Sequence, residues 1–91
     1  MEFQEDKIPE FLDNFDSIKE RIRNFPGCRH LRLLRDLNDP CIFFTYSHWE
    51  EDRDLQAYRK SELFAGVWAT TKPLFRSRAQ AWSVNELSNL E

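Results

Sequence analysis

The strongest constraint on the fold is a pair of strand-like runs joined by a short polar loop. The runs are Cys28 to Arg35 and Cys41 to Trp49, and the loop between them, Asp36 to Pro40, is typical of a hairpin. If Arg35 pairs near Cys41, opposite residue numbers sum to about 76, and residues of like parity share one face of the sheet. Large apolar side chains then lie on both faces, so each face needs a cover.

The parity of the residue numbers divides the hairpin side chains into two sets. The odd set is Leu31, Leu33, Phe43, Thr45, Ser47 and Trp49, and the even set is Cys28, His30, Arg32, Leu34, Ile42, Phe44, Tyr46 and His48. In this register His30 and His48 are diagonal neighbours on one face, and Cys28 lies opposite His48.

Helical periodicity flanks the hairpin on both sides. Apolar residues from Ile8 to Ile22 form the stripe of a helix of about four turns, with Asp6 as its N-cap and residues 25–27 as its end. After the hairpin, Ser61 divides a second helical region into two pieces, 53–60 and 61–72.

Two further strands complete the predicted order. Met1 to Gln4 is a short first strand and Ala79 to Val84 is the last. The order β-α-β-β-α-β predicts a ferredoxin-like α+β fold, with a four-stranded antiparallel sheet and helices on one face, in a single domain over residues 1–91. The uncovered face would be a larger apolar patch than a soluble monomer normally exposes, which favours a symmetric homodimer.

Charge and hydropathy exclude several classes of protein. The net charge of −3 argues against a nucleic-acid partner, because proteins that bind the phosphate backbone are usually basic. No apolar run approaches the ~18 residues that span a bilayer, so no membrane is expected as a partner. Cys28 and Cys41 do not form a CxxC pair, and we expect them to be reduced thiols in the cytoplasm.

Short motifs distributed along the chain carry a family resemblance. They are Pro26-Gly27-Cys28, Leu33-Leu34-Arg35-Asp36, Asp39-Pro40, Phe43, Tyr46, Trp49, Tyr58, Ser61, Phe64 and Trp68. In this order and spacing they resemble the antibiotic biosynthesis monooxygenase superfamily, and especially its small quinol-monooxygenase-like members. The resemblance covers nearly the whole chain and is more specific for the fold than for an activity.

The resemblance implies a dimeric α+β barrel in which two ferredoxin-like sheets pack face to face. It also implies a pocket between sheet and helices where a quinol or an anthrone reacts with molecular oxygen without a metal, a flavin or another cofactor. The substrate anion would reduce oxygen, and the protein would supply desolvation, orientation and one base. The heme-degrading branch has an iron-ligating His at the position of Trp68, so heme degradation is rejected here.

The chain departs from the family pattern at three places. Many relatives have a His at the position of Tyr58, some have another at Leu63, and a Glu is common at the position of Ser47. The first strand is also short for a central strand, so either this strand is stunted or the natural start lies upstream. The missing bases leave open whether the protein is an active enzyme.

The candidate site residues fall into two groups. The candidate catalytic residues are His48, His30 and Tyr58, because imidazole is the usual acid or base near neutral pH and Tyr58 has a polar tip that needs a partner when buried. The candidate substrate-binding residues are Trp49, Phe64, Trp68 and Tyr46. Core or interface packing is the alternative for each aromatic residue. A metal site at Cys28, His30 and His48 lacks a fourth ligand, so no metal is expected.

The sequence therefore favours a cofactor-free monooxygenase that oxidises a small quinol- or anthrone-type aromatic substrate with molecular oxygen. The alternative is a non-catalytic homodimer of the same fold that binds a small aromatic molecule. An RNA-recognition module shares the topology, but the run Cys41 to His48 lacks the basic start of that motif and the chain is acidic.

Overall fold

The computed structural model describes residues 1–90. Helix α1 spans Ile8–Arg23, strands β1 and β2 span Cys28–Arg35 and Phe43–Trp49, and helices α2 and α3 span Asp52–Arg59 and Glu62–Thr71. Short 3-10 helices precede α1 and follow α3. No helix in this part of the chain has both the length and the apolar character needed to cross a membrane.

The sheet proper contains the antiparallel pair β1 and β2, and its other two positions are occupied by isolated bridges. Glu2 pairs with Ile42, and Phe3 pairs with Phe75 on its other side. The N-terminal segment therefore lies between β2 and the residues that follow α3, as in a ferredoxin-like order. Because only two continuous strands form within residues 1–90, the predicted four-stranded sheet is not confirmed.

The predicted last strand is wrong. Residues 79–84 have no regular structure, and Phe75 and Arg76 occupy the sheet edge instead. The Arg76 amide donates to the Glu2 carbonyl, and its guanidinium forms ion pairs with Glu2 and Asp39. Arg76 thus ties the segment after α3 to the N-terminal segment and to the β1–β2 loop.

The hairpin register differs from the prediction by two residues. Arg35 pairs with Phe43, which places His30 directly opposite His48 rather than diagonal to it. A shift of two keeps the parity, so each face carries almost the expected side chains. The exception is Cys28, because a bulge between Cys28 and His30 turns its side chain to the helix-covered face, where it lies opposite Trp49.

Aromatic rings fill the core between the sheet and α1. Phe3 is fully buried and stacks on Phe11 at 4.1 Å between ring centroids. It also contacts Phe43 edge-on at 5.7 Å and Phe75 at 5.1 Å. Burying one such side chain contributes roughly 1.5–3 kcal/mol, so this cluster anchors the N-terminal segment although that segment forms only bridges.

Candidate functional site

A cavity of about 150 Å³ lies between the helix-covered face of the sheet and helices α1 and α3. Most of its surface is apolar and much of it is aromatic. The lining residues are Met1, Phe11, Asn14, Phe15, Ile18, Ile22, Leu31, Thr45, Ser47, Trp49, Tyr58, Phe64, Val67, Trp68, Thr70 and Thr71. Tyr58 is the one lining residue with an ionisable side chain.

Local sequence signals position Tyr58 near the end of α2. The helix begins with a capping box in which Glu51 and Asp54 bond each other's backbone amides. Its end coincides with the start of α3, where the Ser61 hydroxyl accepts a hydrogen bond from the Phe64 amide and donates one to the Tyr58 carbonyl. The predicted division at Ser61 is therefore confirmed, and it fixes the spacing between Tyr58 and Phe64.

Gly27 brings β1 close to the start of α2. Its φ of +86° lies in the left-handed region that side chains disfavour. A Cβ atom there would clash with the Asp54 side chain. The Gly27 carbonyl accepts the Glu50 amide, so this turn joins the beginning of β1 to the end of β2 beneath Tyr58.

Three aromatic rings surround the Tyr58 ring. Trp49 stacks on it at 5.2 Å with an interplanar angle of 26°. Phe25 and Phe64 meet it edge-on at 5.3 Å and 5.2 Å. Phe64 in turn stacks on Trp68. The predicted group of Trp49, Tyr58, Phe64 and Trp68 is thus brought together along one side of the cavity.

The Tyr58 hydroxyl has no hydrogen-bond partner in the described part of the chain. Tyr58 is only 9% exposed. Within residues 1–90, every side-chain oxygen or nitrogen that is sealed from solvent has a hydrogen-bond partner, so the unpartnered Tyr58 hydroxyl is not sealed. The hydroxyl therefore keeps some contact with solvent, and Tyr58 is among the residues that line the cavity. Burial raises the pKa of Tyr58 to about 12, and the nearby Cys28 adds to the rise. Near neutral pH the phenol consequently stays protonated and is a hydrogen-bond donor, not a base.

Hydroxyl and amide groups supply the rest of the polar lining. Asn14 comes from α1, and Thr45 and Ser47 project from β2 on the helix-covered face. The Ser47 hydroxyl accepts from Trp49 Nε1 at 2.9 Å, which fixes the indole that stacks on Tyr58. The Thr71 hydroxyl donates to the Val67 carbonyl at 2.7 Å and is satisfied within α3.

The two histidines lie on the opposite face of the sheet, so the structure separates them from Tyr58. His30 and His48 pair across the hairpin beside Tyr46, whose ring is 6.2 Å from the His30 ring. His30 Nε2 accepts a hydrogen bond from Arg32 Nε at 2.6 Å, which occupies the lone pair a general base would use. With Cys28 on the other face, no cluster of three metal-ligating side chains forms among the described residues.

The face that carries the histidines has a half-exposed apolar part, and no helix of the described residues 1–90 covers it. Leu34, Phe44 and Tyr46 are 45%, 47% and 49% exposed. We call this face the outer face, and its six side chains are those of His30, Arg32, Leu34, Phe44, Tyr46 and His48. Arg32 is the one permanently charged side chain among them.

A second depression is larger but less suited to excluding water. It is an open groove of about 650 Å³ between α1 and the edge strand β1. Ionisable side chains form much of its rim, and Lys19 there pairs with Asp16. We therefore assign the candidate site to the smaller aromatic cavity.

Sequence reasoning missed several residues that line the cavity. Asn14 is a polar residue beside the apolar stripe of α1, and the stripe alone does not mark it as part of a site. Thr45 was placed on the correct face of the hairpin but was not weighed as a site residue. Parity was the available signal, because Thr45, Ser47 and Trp49 all project toward the helices.

The fold and the cavity together define an α+β protein with a ligand-sized space between sheet and helices. The sequence model of the family described as antibiotic biosynthesis monooxygenase matches residues 1–69. The chain belongs to this family. No curated protein gives a significant match.

Solved structures of low sequence identity share the fold. A protein from Deinococcus radiodurans, named as a candidate antibiotic biosynthesis monooxygenase, has 16% identity and a TM-score of 0.81, with 99% of this chain and 91% of that chain covered. One from Nitrosomonas europaea with the same kind of name has 18% identity and a TM-score of 0.77, covering 85% and 81%. A conserved protein from Methanosarcina mazei Go1 has 18% identity and a TM-score of 0.80, covering 85% and 76%.

Proposed function

We propose that this protein is a cofactor-free monooxygenase that oxidises a small quinol-type aromatic substrate with molecular oxygen. The observation that carries the proposal is the Tyr58 hydroxyl, which belongs to a residue only 9% exposed, has no partner among the described residues and lies in the lining of a largely aromatic cavity. A hydroxyl that no described residue bonds is free to bind an oxygen atom of a ligand, and a typical hydrogen bond of this kind contributes about 0.5–1.5 kcal/mol.

The reaction needs no reductant other than the substrate. A hydroquinone and one molecule of oxygen give a hydroxyquinone and water. One oxygen atom forms a new C–O bond on the ring and the other leaves as water. The ring supplies all four electrons that reduce the oxygen molecule, and the two phenolic O–H bonds and one ring C–H bond are broken.

The cavity residues act on the substrate through packing and one directed hydrogen bond. Trp49, Phe64 and Trp68 would hold the ring and exclude water, which strengthens electrostatic interactions inside the cavity. The Tyr58 hydroxyl would donate to the substrate oxygen that becomes negatively charged on deprotonation, and so stabilise the electron-rich anion that reduces oxygen. The substrate proton would pass to water, because no lining side chain is a base at neutral pH and the Met1 ammonium is engaged by the Phe43 carbonyl.

A catalytic role for His30 and His48 would require a substrate site other than the cavity. Both lie on the outer face, so either could act only on a substrate bound there. Replacing both by Asn should leave oxygen uptake unchanged if the reaction occurs in the cavity. Loss of uptake in a folded double variant would move the chemistry to the outer face.

We also propose that the outer face pairs with a second copy of the chain. Leu34, Phe44 and Tyr46 form a contiguous half-exposed apolar surface of the kind that marks an interface. Phe44→Asp would place a carboxylate in that interface and should convert a dimer to a monomer in sedimentation velocity. An unchanged sedimentation coefficient in the variant would overturn the interface. We further propose that residues 1–91 form one domain and that the protein is located in the cytoplasm.

Oxygen uptake with a panel of reduced quinones and anthrones tests the enzymatic proposal. Wild-type protein should exceed heat-inactivated protein, and Tyr58→Phe should fall toward that background. Tyr46→Phe is the matched control, because it removes a phenolic hydroxyl from the outer face of the sheet, which is the face away from the cavity. Equal losses in the two variants would contradict the assignment of the cavity.

A binding protein without catalysis is the second candidate. It is favoured by one observation, the lack of a lining side chain that could accept a proton at neutral pH. Saturable binding of a quinol without oxygen uptake above background would select this function.

A further inference from the structure

We infer that the cavity takes an uncharged, single-ring hydroquinone or phenol and excludes fused-ring and carboxylated analogues. The inference rests on the proposed function for its site, but it concerns what the cavity admits. It narrows the substrate class, because the sequence left quinols and three-ring anthrones equally open.

The first argument is volume. The cavity measures about 150 Å³. An engineered apolar cavity of about 150 Å³ binds a single benzene ring, whereas pockets for drug-sized ligands span about 300–1,000 Å³. One substituted ring therefore fits, whereas a naphthalene or anthracene skeleton would have to displace the walls or leave its added rings outside the cavity.

The second argument is the rigidity of the wall. Phe64 and Trp68 stack with an interplanar angle of 7°, and Trp68 meets Phe75 edge-on at 5.6 Å. Phe75 in turn contacts Phe3, the fully buried residue at the centre of the core. Moving this wall outward would disturb the contacts that hold the N-terminal segment in the sheet, so expansion for a second ring is costly.

The third argument is charge. The lining residues carry no Asp, Glu, Lys, Arg or His side chain. A carboxylate brought into such a space loses its hydration and meets no cationic side chain, which is far more costly than burying a hydroxyl. The Met1 ammonium, the one cationic group that a lining residue carries, already donates to the Phe43 carbonyl. The Tyr58 hydroxyl offers one donor, which suits a single phenolic oxygen. The ligand that enters is therefore neutral, and any charge develops at that oxygen.

Ligand binding under anaerobic conditions tests the inference separately from catalysis. Quenching of Trp49 and Trp68 fluorescence can be followed in a Trp82→Phe background, which removes the exposed indole outside the cavity. The probes are methylhydroquinone, 1,4-naphthohydroquinone, anthrone and 2,5-dihydroxybenzoate. We expect methylhydroquinone to bind at least tenfold more tightly than each of the others.

A wall variant supplies the opposite change. Trp68 is 38% exposed, so Trp68→Leu opens the cavity at its rim with little loss of the central core. It should improve binding of 1,4-naphthohydroquinone relative to methylhydroquinone at least tenfold and leave the rejection of 2,5-dihydroxybenzoate unchanged. Circular dichroism checks that the variant is folded, and the wild-type ranking stands without it.

The outcomes separate this inference from the proposed function. Selective binding of methylhydroquinone without oxygen uptake supports the inference and contradicts the enzymatic proposal. Binding of naphthohydroquinone, anthrone or the carboxylated ring as tight as that of methylhydroquinone overturns the inference, even if those compounds are oxidised. Absence of saturable binding by every probe overturns both.

Discussion

Replacing Tyr58 by phenylalanine should separate the stability of the fold from the chemistry of the cavity. The substitution keeps the ring and its contacts with Trp49, Phe25 and Phe64. It removes a hydroxyl that no described residue bonds, so the free energy of unfolding should stay within about 1 kcal/mol of wild type or rise slightly. For a domain of this size, that limit corresponds to a change in Tm of no more than about 4–8 °C.

The same substitution should impair function measurably. A hydrogen bond to a charged group contributes about 1.5–3 kcal/mol. Because about 1.4 kcal/mol corresponds to a factor of ten, kcat/KM for a quinol should fall roughly tenfold to a hundredfold. If the hydroxyl bonds the anion only as it forms, kcat should carry most of the loss and KM little of it.

The assay combines thermal unfolding with oxygen uptake for wild type, Tyr58→Phe and Tyr46→Phe. We expect similar Tm values in all three and a loss of uptake in Tyr58→Phe alone. A Tm lowered well beyond 8 °C in Tyr58→Phe would show that the hydroxyl is bonded within the fold. An unchanged kcat/KM would refute its role as a donor to the substrate.

Further predictions concern the turn, the helix cap and the pH dependence. Gly27→Ala should destabilise the protein by at least about 1–2 kcal/mol in urea unfolding, because of the left-handed backbone and the clash with Asp54. Gly66→Ala in α3 is the control and should be neutral or stabilising, because a Cβ there meets nothing within 4 Å. Equal urea midpoints for the two variants would contradict the turn geometry. Ser61→Ala should cost about 1 kcal/mol and speed amide exchange at the start of α3, and an unchanged exchange rate would exclude the cap. Since the pKa of Tyr58 is raised from 10.0 to about 12, the stability it confers is fully present below pH 10 and lost as the pH rises toward 12; Tyr58→Phe should lose less stability over that window. The rate of quinol oxidation should rise with pH toward the pKa of the substrate without an inflection near ~6.5, because no imidazole lines the cavity, and a bell-shaped profile centred near neutrality would contradict this.

Most of the secondary structure could be predicted because strong local signals mark it. The apolar stripe and the turn at Gly27 predict the extent of α1 almost as observed. Ser61 predicts the boundary between the last two helices. Asp6 is not the N-cap of α1, since that position is Lys7, without a side-chain cap. Caps of this kind depend on backbone angles that a residue type alone does not specify.

Pairings distant in sequence were harder to predict. The loop after β1 is longer than expected because the Asp36 carboxylate accepts two backbone amides and Asp39 accepts the Cys41 amide, which delays pairing until Phe43. The strand assigned to 79–84 has suitable alternation, yet the edge position beside Phe3 is already filled by Phe75. Local pattern does not reveal which of two nearby segments wins such a contact.

The candidate site was predicted in its aromatic part and not in its polar part. Helical and strand spacing was enough to group Trp49 with Tyr58, Phe64 and Trp68. The parity of the hairpin residue numbers already places His30 and His48 on the face opposite Trp49, and therefore away from its neighbour Tyr58. The histidines were still the catalytic candidates because imidazole is the usual base near neutral pH. The raised pKa of Tyr58 depends on burial by side chains from three elements, which sequence spacing does not measure.

Oxidation of methylhydroquinone under ¹⁸O₂, followed by mass spectrometry of the product, tests the central claim most directly. The account predicts a hydroxyquinone that carries one ¹⁸O atom on the ring, formed faster than with heat-inactivated protein and much more slowly with Tyr58→Phe. Unlabelled quinone with hydrogen peroxide, formed at the rate of the heat-inactivated control, would contradict it.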